Sequence, residues 1–378
     1  MFVKLKIPCY SIAIMFSKIS KKRIFLDYAS STPVALEVAR AMKPWLTGGS
    51  NPSALYAEAL LAKAATDTAR ATIADCISAQ PKEIIFTGSG TEANNLALLG
   101  VFEKYKTHNF KPHIIVTSIE HPAILEVCDE WRRRGGEVTI IPVSEDGVVK
   151  AKDIANALQQ NTVLVSVMYA NNEIGTIQPI KEISRVIKEW REKNNTSLPY
   201  VHTDACQAAL YLPLHVLSLG VDMMTLDGLK MYGPRGIGML YIRSGVELSP
   251  VIFGGGQERG LRSGTENVPA IVGLAKALEL AEKLKEKESK RLTKIRDYCI
   301  EKILKVFPQA TLNGSRELRL PNNVNICFKN LDAEFAVISL DVPGIAASYS
   351  SSCRTLTLNS FSYVVKALGK PDCKSSSL

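Results

Sequence analysis

The feature that most constrains this chain is an alternation. Short apolar runs, "EIIFT", "HIIVTS", "EVTIIPV", "TVLVSVMYA", "YVHTD", "DMMTL" and "IGMLYI", recur through it. Most are separated by stretches of helical period: "EANNLALLGVFEKY", "PAILEVCDEWRRRG", "AKDIANALQQ" and "IKEISRVIKEWREK". Apolar runs this short read as mostly buried strands. Strands repeating with amphipathic helices imply a mainly parallel, seven-stranded sheet with helices on both faces, an α/β fold. After "GGGQERGLRSGTENV" the pattern changes. A long helical stretch over about 268–306, then "NNVNICF" and a final helix near 360–368, reads as a smaller α+β domain. The expected division is a basic extension at 1–23, a large domain at 24–265 and a small C-terminal domain at 266–378. The first residues of the large domain are expected to pack on the small one.

Composition narrows the class. With 378 residues, 46% of them hydrophobic, the chain can bury a large core. The formal charge of +9 comes without a Lys/Arg stripe interleaved with aromatics, so no direct nucleic-acid role is expected. The eight cysteines are scattered without close pairing, which offers neither a zinc site nor a disulfide framework and fits a reducing, cytoplasmic compartment. The opening "MFVKLKIPCYSIAIMFSKISKKR" lacks a small-residue cleavage site and a spanning-length run. It reads as residues upstream of a start at Met15, with no membrane role.

Open α/β sheets bind ligands beyond the carboxyl ends of their strands, so the loops there carry the candidates. "GSGTEANN" follows a strand and opens a helix near Glu92, presenting free backbone N–H groups at a positive helix end, suited to a phosphate. Alone it is equally a tight strand-to-helix turn. His121, in "IEHP", precedes Pro122 at a helix start and would most often be a cap. Asn172 lies in "NNEIGTIQP". Asp204 and Gln207 lie in "HTDACQAAL", where capping is the commonest use of such an Asp. Lys230 follows "DMMTL", between Leu229 and Met231.

Each residue has an ordinary structural use, but together they form an inventory. A phosphate nest, a carboxylate, amide donors and one lysine in an apolar setting are what pyridoxal 5'-phosphate requires. The lysine forms a Schiff base, the carboxylate keeps the pyridine nitrogen protonated, and an anion site holds the phosphate.

The motifs "IFLDYASSTPV", "FTGSGTEANNLAL", "EHPAI", "NNEIGTIQPI", "HTDACQAA", "KMYGPRGIG", "GGGQERGLRSGTENV" and "GIAASYSSSC" occur in this order. In them the chain resembles the cysteine desulfurases of the class V aminotransferases, enzymes of pyridoxal phosphate fold type I. The resemblance implies that Lys230 carries the cofactor and removes the substrate α-proton, and that Asp204 pairs with the pyridinium. It implies further that His121 stacks on the ring and assists proton transfer, that Asn172 and Gln207 contact its oxygen side, and that Gly90 and Thr91 hold the phosphate. Thr265 would complete the phosphate site of a neighbouring subunit, which implies a homodimer.

Cys353, in the Ser/Thr-rich "ASYSSSCRTLTLNS", matches the nucleophile of the long-loop class. That class takes sulfur from L-cysteine as a persulfide, releases L-alanine and passes the sulfur to acceptors such as an iron-sulfur scaffold or a tRNA-thiolating protein. Arg354 beside it would favour the thiolate. No metal site is implied. The related readings are a lyase or transaminase on another amino acid, such as a selenocysteine lyase, and a degenerate paralogue without catalysis.

Two positions depart from the family pattern. Leu229 stands where a histidine usually precedes the lysine, and Asp227 where a Ser or Thr usually donates to the phosphate. An anionic Asp227 is expected to repel a phosphate unless it points away or pairs with Arg235. The sequence also stops at Leu378, where the family continues into a Ser-x-Arg motif that clamps the substrate carboxylate. Either the sequence is a fragment or the enzyme works without that clamp; if cysteine is turned over with ordinary saturation, Arg262 and Arg354 are the next candidates for it.

Overall fold

The computed structural model describes residues 23–48, 50–329, 331–349, 362–370 and Cys373; Cys353, Arg354 and residues 1–22 lie outside them. Before the main sheet come β1 (Ile24–Phe25), α1 (Leu36–Leu46) and α2 (Ala57–Ile77). The sheet contains β2 (Ile84–Thr87), β3 (His113–Thr117), β4 (Glu137–Ile141), β5 (Thr162–Ser166), β6 (Tyr200–Asp204), β7 (Met223–Asp227) and β8 (Gly238–Ile242). Interspersed are α3 (Gly90–Tyr105), α4 (Pro122–Arg133), α5 (Ala151–Ala157), α6 (Ile180–Asn194) and the single turn α7 (Val216–Leu219).

These seven strands form one sheet in the order β2-β8-β7-β6-β5-β3-β4. Six run in one direction; β8 is antiparallel to both its neighbours. The expected α/β class, with a mainly parallel seven-stranded sheet, is what the chain adopts. Side chains alternate across it as the pleat requires. Ile84, Phe86, Met239 and Tyr241 face a core shared with α2, α6 and the start of the long helix that follows the sheet. Ile85, Leu240 and Ile242 face a second core with α3 and α4. Burying each such aliphatic chain is worth roughly 1.5–3 kcal/mol, which is why a sheet covered on both faces tolerates so few polar residues in its strands.

Beyond the sheet, α8 (Val268–Val306) spans 39 residues, about 58 Å at the usual rise per residue. Its residues Ala270, Ile271, Leu274, Ala275, Ala277 and Leu278 join the large core, while Arg296 and Ile300 are buried in its far half. There follow β9 (Thr311–Leu312), β10 (Ile326–Cys327), α9 (Ala333–Asp341), β11 (Ile345–Ala346) and α10 (Tyr363–Ala367). β9 and β10 pair antiparallel, and β1 pairs parallel with β11, so the first described residues lie against the last part of the chain. No described helix is long and apolar enough to cross a membrane.

One expectation needs correcting. Cys327 and Cys373 are joined in a disulfide, with Cα atoms 5.3 Å apart and a sequence separation of 46. That separation hides the pair from any reading of local spacing. It is created by tertiary packing: Cys327, Cys373, Val364, Val365 and Leu368 share a small apolar cluster with Ile119, Met168 and Ile174.

Candidate active site

The parallel strands end on one edge of the sheet, and β8 begins on it. Thr87, Asp227 and Gly238 are in register there. Gly238 has to be glycine, because a Cβ would sit 2.4 Å from the Ser89 carbonyl carbon and 2.7 Å from the Gly90 nitrogen. The turn opening α3 is therefore pressed onto the sheet edge. Its N-cap is Ser89, whose hydroxyl accepts the Glu92 N–H. Gly90 is buried and Thr91 exposed.

Lys230 ends a short 3₁₀ turn, Gly228–Lys230, directly after β7. Its ammonium donates to the carbonyls of Ala29 (2.9 Å) and Ser30 (2.6 Å). Gln207 gives its amide to the same Ala29 carbonyl, at 2.9 Å. The 27–35 segment is fixed there by bonds of Thr32 to Leu229 and Tyr232 and of the Ala35 N–H to the Tyr232 carbonyl.

Asp204 closes β6 and is only 8% exposed. Its carboxylate accepts the Asn94 amide at 2.7 Å and the Cys206 N–H at 3.0 Å. The expected cap is thus a turn bond, and the Asn94 contact ties the acid to α3. His121 is the N-cap of α4, with Nδ1 accepting the Ala123 N–H at 3.1 Å. Burial pushes its pKa below the ordinary value; the charges of Asp204 and Asp227 oppose that and Lys230 adds to it. The ring is therefore neutral, with its proton on Nε2. Hydrogen bonds and packing outline a strand-end pocket: Lys230 and Gln207 meet on the Ala29 carbonyl, and Asp227 and Cys206, two residues after Asp204, both close on Gly90. Beneath it, Glu120 is fully buried, accepts the Met168 N–H and the Thr117 hydroxyl, and is pushed up to about 8 by burial above all.

Asp227 takes neither of the expected escapes. Arg235 is exposed, and the Asp227 carboxylate turns into the pocket. One oxygen accepts the Gly90 N–H at 2.8 Å and the other the Leu229 N–H at 2.8 Å. Arg262, one of the alternative carboxylate clamps, is paired with Glu92 at 2.8 Å. Thr265 stands exposed before α8.

The residues fit a pyridoxal phosphate ring. Asn172 keeps a buried Oδ1 without a partner, an acceptor of the kind a ring hydroxyl would satisfy. Asp204 is a buried carboxylate held by neutral donors and suited to a protonated ring nitrogen. The phosphate end differs, since the Gly90 N–H expected to receive it already has an anionic partner.

Asn94, Glu120, Cys206 and the Ala29 and Ser30 carbonyls also belong to this pocket. The last two carry no side-chain signal. Asn94 has a weak one, an amide in the second turn of the helix, directly before a second amide, Asn95, and an apolar run.

The aminotransferase class-V family model matches residues 24–367. The cysteine desulfurase IscS of Dictyoglomus turgidum is 43% identical over 352 residues, 93% of this chain and 87% of that relative. A solved NifS-like protein superposes with a TM-score of 0.86 at 33% identity, covering 94% of this chain and 92% of that one. A structure described as SspA in complex with cysteine gives 0.80 at 35% identity over 94% and 97%. With its sheet, strand-end pocket and these relatives, the chain belongs to the aminotransferase class-V family.

Proposed function

We propose that the protein is a pyridoxal-phosphate-dependent cysteine desulfurase, converting L-cysteine to L-alanine and transferring sulfur through Cys353 to acceptor proteins. The observation that carries this reading is a set of strand-end residues tied by hydrogen bonds: Lys230 and Gln207 meet on the Ala29 carbonyl, and the Asp204 carboxylate is held by Asn94 of the helix that Gly90 opens. The comparisons support it, since relatives named as desulfurases match over most of both chains. When bound, the cofactor would supply an electron sink that loosens bonds at the substrate α-carbon.

The chain's own groups have distinct tasks in this reading. Lys230, held by two carbonyls that can release it, would anchor the group and move the α-proton. Asp204 would hold the ring nitrogen protonated, oriented by Asn94 and the Cys206 N–H. Neutral His121 would stack over the ring and offer its Nε2 proton, while Gln207 and Asn172 would face the ring oxygen.

Cys353 is assigned by its resemblance to the family nucleophile, and the described thiols offer no rival. Burial raises Cys76 to about 11 and Cys128 to about 12, and it also raises Cys206 and Cys299, so all four hold their protons at neutral pH. Cys327 and Cys373 are bridged. None of the described cysteines favours the thiolate; Cys9 and Cys353 lie outside the described residues, and of these the family resemblance points to Cys353, next to Arg354.

The exposed Thr265, and exposed apolar side chains on Leu55, Leu60, Leu61 and Phe253, support a homodimer in which Thr265 reaches the neighbouring phosphate site. An iron-sulfur scaffold or tRNA-thiolating protein as acceptor, and a cytoplasmic location, complete the proposal. The test is turnover: wild-type protein reconstituted with pyridoxal 5'-phosphate should form alanine and, with a reductant, sulfide from L-cysteine. Cys353→Ser should bind cofactor yet carry no persulfide. Alanine formation at the wild-type rate in Lys230→Ala would overturn the assignment.

A further inference from the structure

We infer that Asp227 is a built-in occupant of the anion seat at the start of α3, so that a phosphate or sulfate can enter only by displacing this carboxylate. Its identity as a cofactor seat rests on the reading above; its occupation by Asp227 does not. α3 is a 16-residue helix, and the Gly90 N–H at its first turn is one of the donors that no bond within the helix can satisfy. Asp227 Oδ2 accepts that N–H at 2.8 Å, and Oδ1 accepts the Leu229 N–H at 2.8 Å. Both oxygens are thus committed, one to the seat and one to the turn that carries Lys230.

Space leads to the same conclusion as the hydrogen bonds. A Cβ placed on Gly90 would lie 3.2 Å from Asp227 Oδ2 and 2.9 Å from Cys206 Sγ, so the carboxylate and the thiol close over this backbone together. A phosphate oxygen bonding the Gly90 N–H would meet the Asp227 oxygen already on it. A second acid lies at the same turn, because Glu92 Oε2 is 2.6 Å from where a Cβ on Gly88 would be. Glu92 has Arg262 as its counter-charge, whereas Asp227 forms no ion pair among the described residues. Its charge is balanced by backbone N–H groups and the helix end. A Ser or Thr at position 227 would offer an entering anion a donor; aspartate offers it a competitor.

The experiment compares apo-protein of wild type, Asp227→Ser and Asp227→Asn by calorimetric titration with three probes. These are sulfate, pyridoxal 5'-phosphate and pyridoxal, which has the aldehyde and no phosphate. Removing the competing charge should tighten sulfate by at least about tenfold in both variants, the scale of one charge-assisted hydrogen bond. Pyridoxal 5'-phosphate should gain by a similar factor and pyridoxal by none. Sulfate affinity within twofold of wild type in both variants, with each variant retaining a cooperative melt, overturns the inference. An equal gain for pyridoxal also overturns it, because the effect would then not lie at the anion seat. If sulfate tightens while no cofactor attaches to Lys230 in any of the three proteins, the seat stands and the cofactor reading falls.

Discussion

Glu120 should make the fold less stable as pH rises, and replacing it should remove that dependence. Its side chain is fully buried under His121, and burial moves its pKa from 4.5 to about 8 despite bonds from Thr117 and Met168 that favour the anion. The sign follows from linkage. Below 4.5 the carboxyl is protonated in both folded and unfolded chains and has no effect. Above it the unfolded carboxyl ionises while the buried one holds its proton until about 8, so stability is lost across that interval. At about 1.4 kcal/mol for each pH unit, the full loss is about 5 kcal/mol. For a chain of 378 residues this corresponds to about 6 °C in melting temperature. Glu120→Gln keeps an oxygen for the Met168 N–H and the Thr117 hydroxyl but cannot ionise. Thermal melts of the apo-protein at pH 4.5 and pH 8 should therefore show the wild type losing about 6 °C more than the variant. The comparison cancels every other titrating group, and any uniform cost of the amide. Equal pH dependence in the two proteins would refute the reasoning.

Other groups give further expectations. Burial holds His202 at about 4, between the Ser166 and Thr225 hydroxyls, so acidification from its unfolded value of 6.5 toward 4 should cost about 3 kcal/mol. That loss should emerge in acid melts of Glu120→Gln, where the opposing trend is gone, and be absent when His202→Gln is added. Cys327→Ser opens a bridge across 46 residues, for which chain entropy gives about 4 kcal/mol, and should lower the melting temperature by about 5 °C; an unchanged melt under oxidising conditions would contradict it. Gly136→Ala would put a methyl 2.1 Å from Trp131 Cδ1 and 2.8 Å from Phe102, and should cost roughly 1–3 kcal/mol by urea unfolding with altered Trp131 fluorescence. An unaltered spectrum and midpoint would show that the ring moves freely.

What the sequence reveals here depends on whether the cause is local. The strands ending in Thr87, Thr117 and Asp204 are legible because a sheet covered on both faces demands continuous apolar runs, and each is short and bounded by turn residues. His121, Asp204 and Lys230 stand out as candidates because strand ends are where such sheets place their chemistry. The hold on Lys230 is not, because its acceptors are backbone carbonyls some two hundred residues away. The Cys327–Cys373 bridge is hidden for the same reason, its ends meeting only through the cluster around Val364 and Leu368. Asp227 is an intermediate case. Its charge is visible as a misfit beside a phosphate site, but its double hold on Gly90 and Leu229 depends on β7 and α3 lying side by side.

The most direct test of the central claim is chemical. Protein incubated with pyridoxal 5'-phosphate, reduced with borohydride and digested should yield one modified peptide, carrying the reduced cofactor on Lys230 within "TLDGLKMYGPR". The same treatment of Asp204→Asn should give far less of it. A label spread over surface lysines, or none on Lys230 at saturating cofactor, would contradict the account.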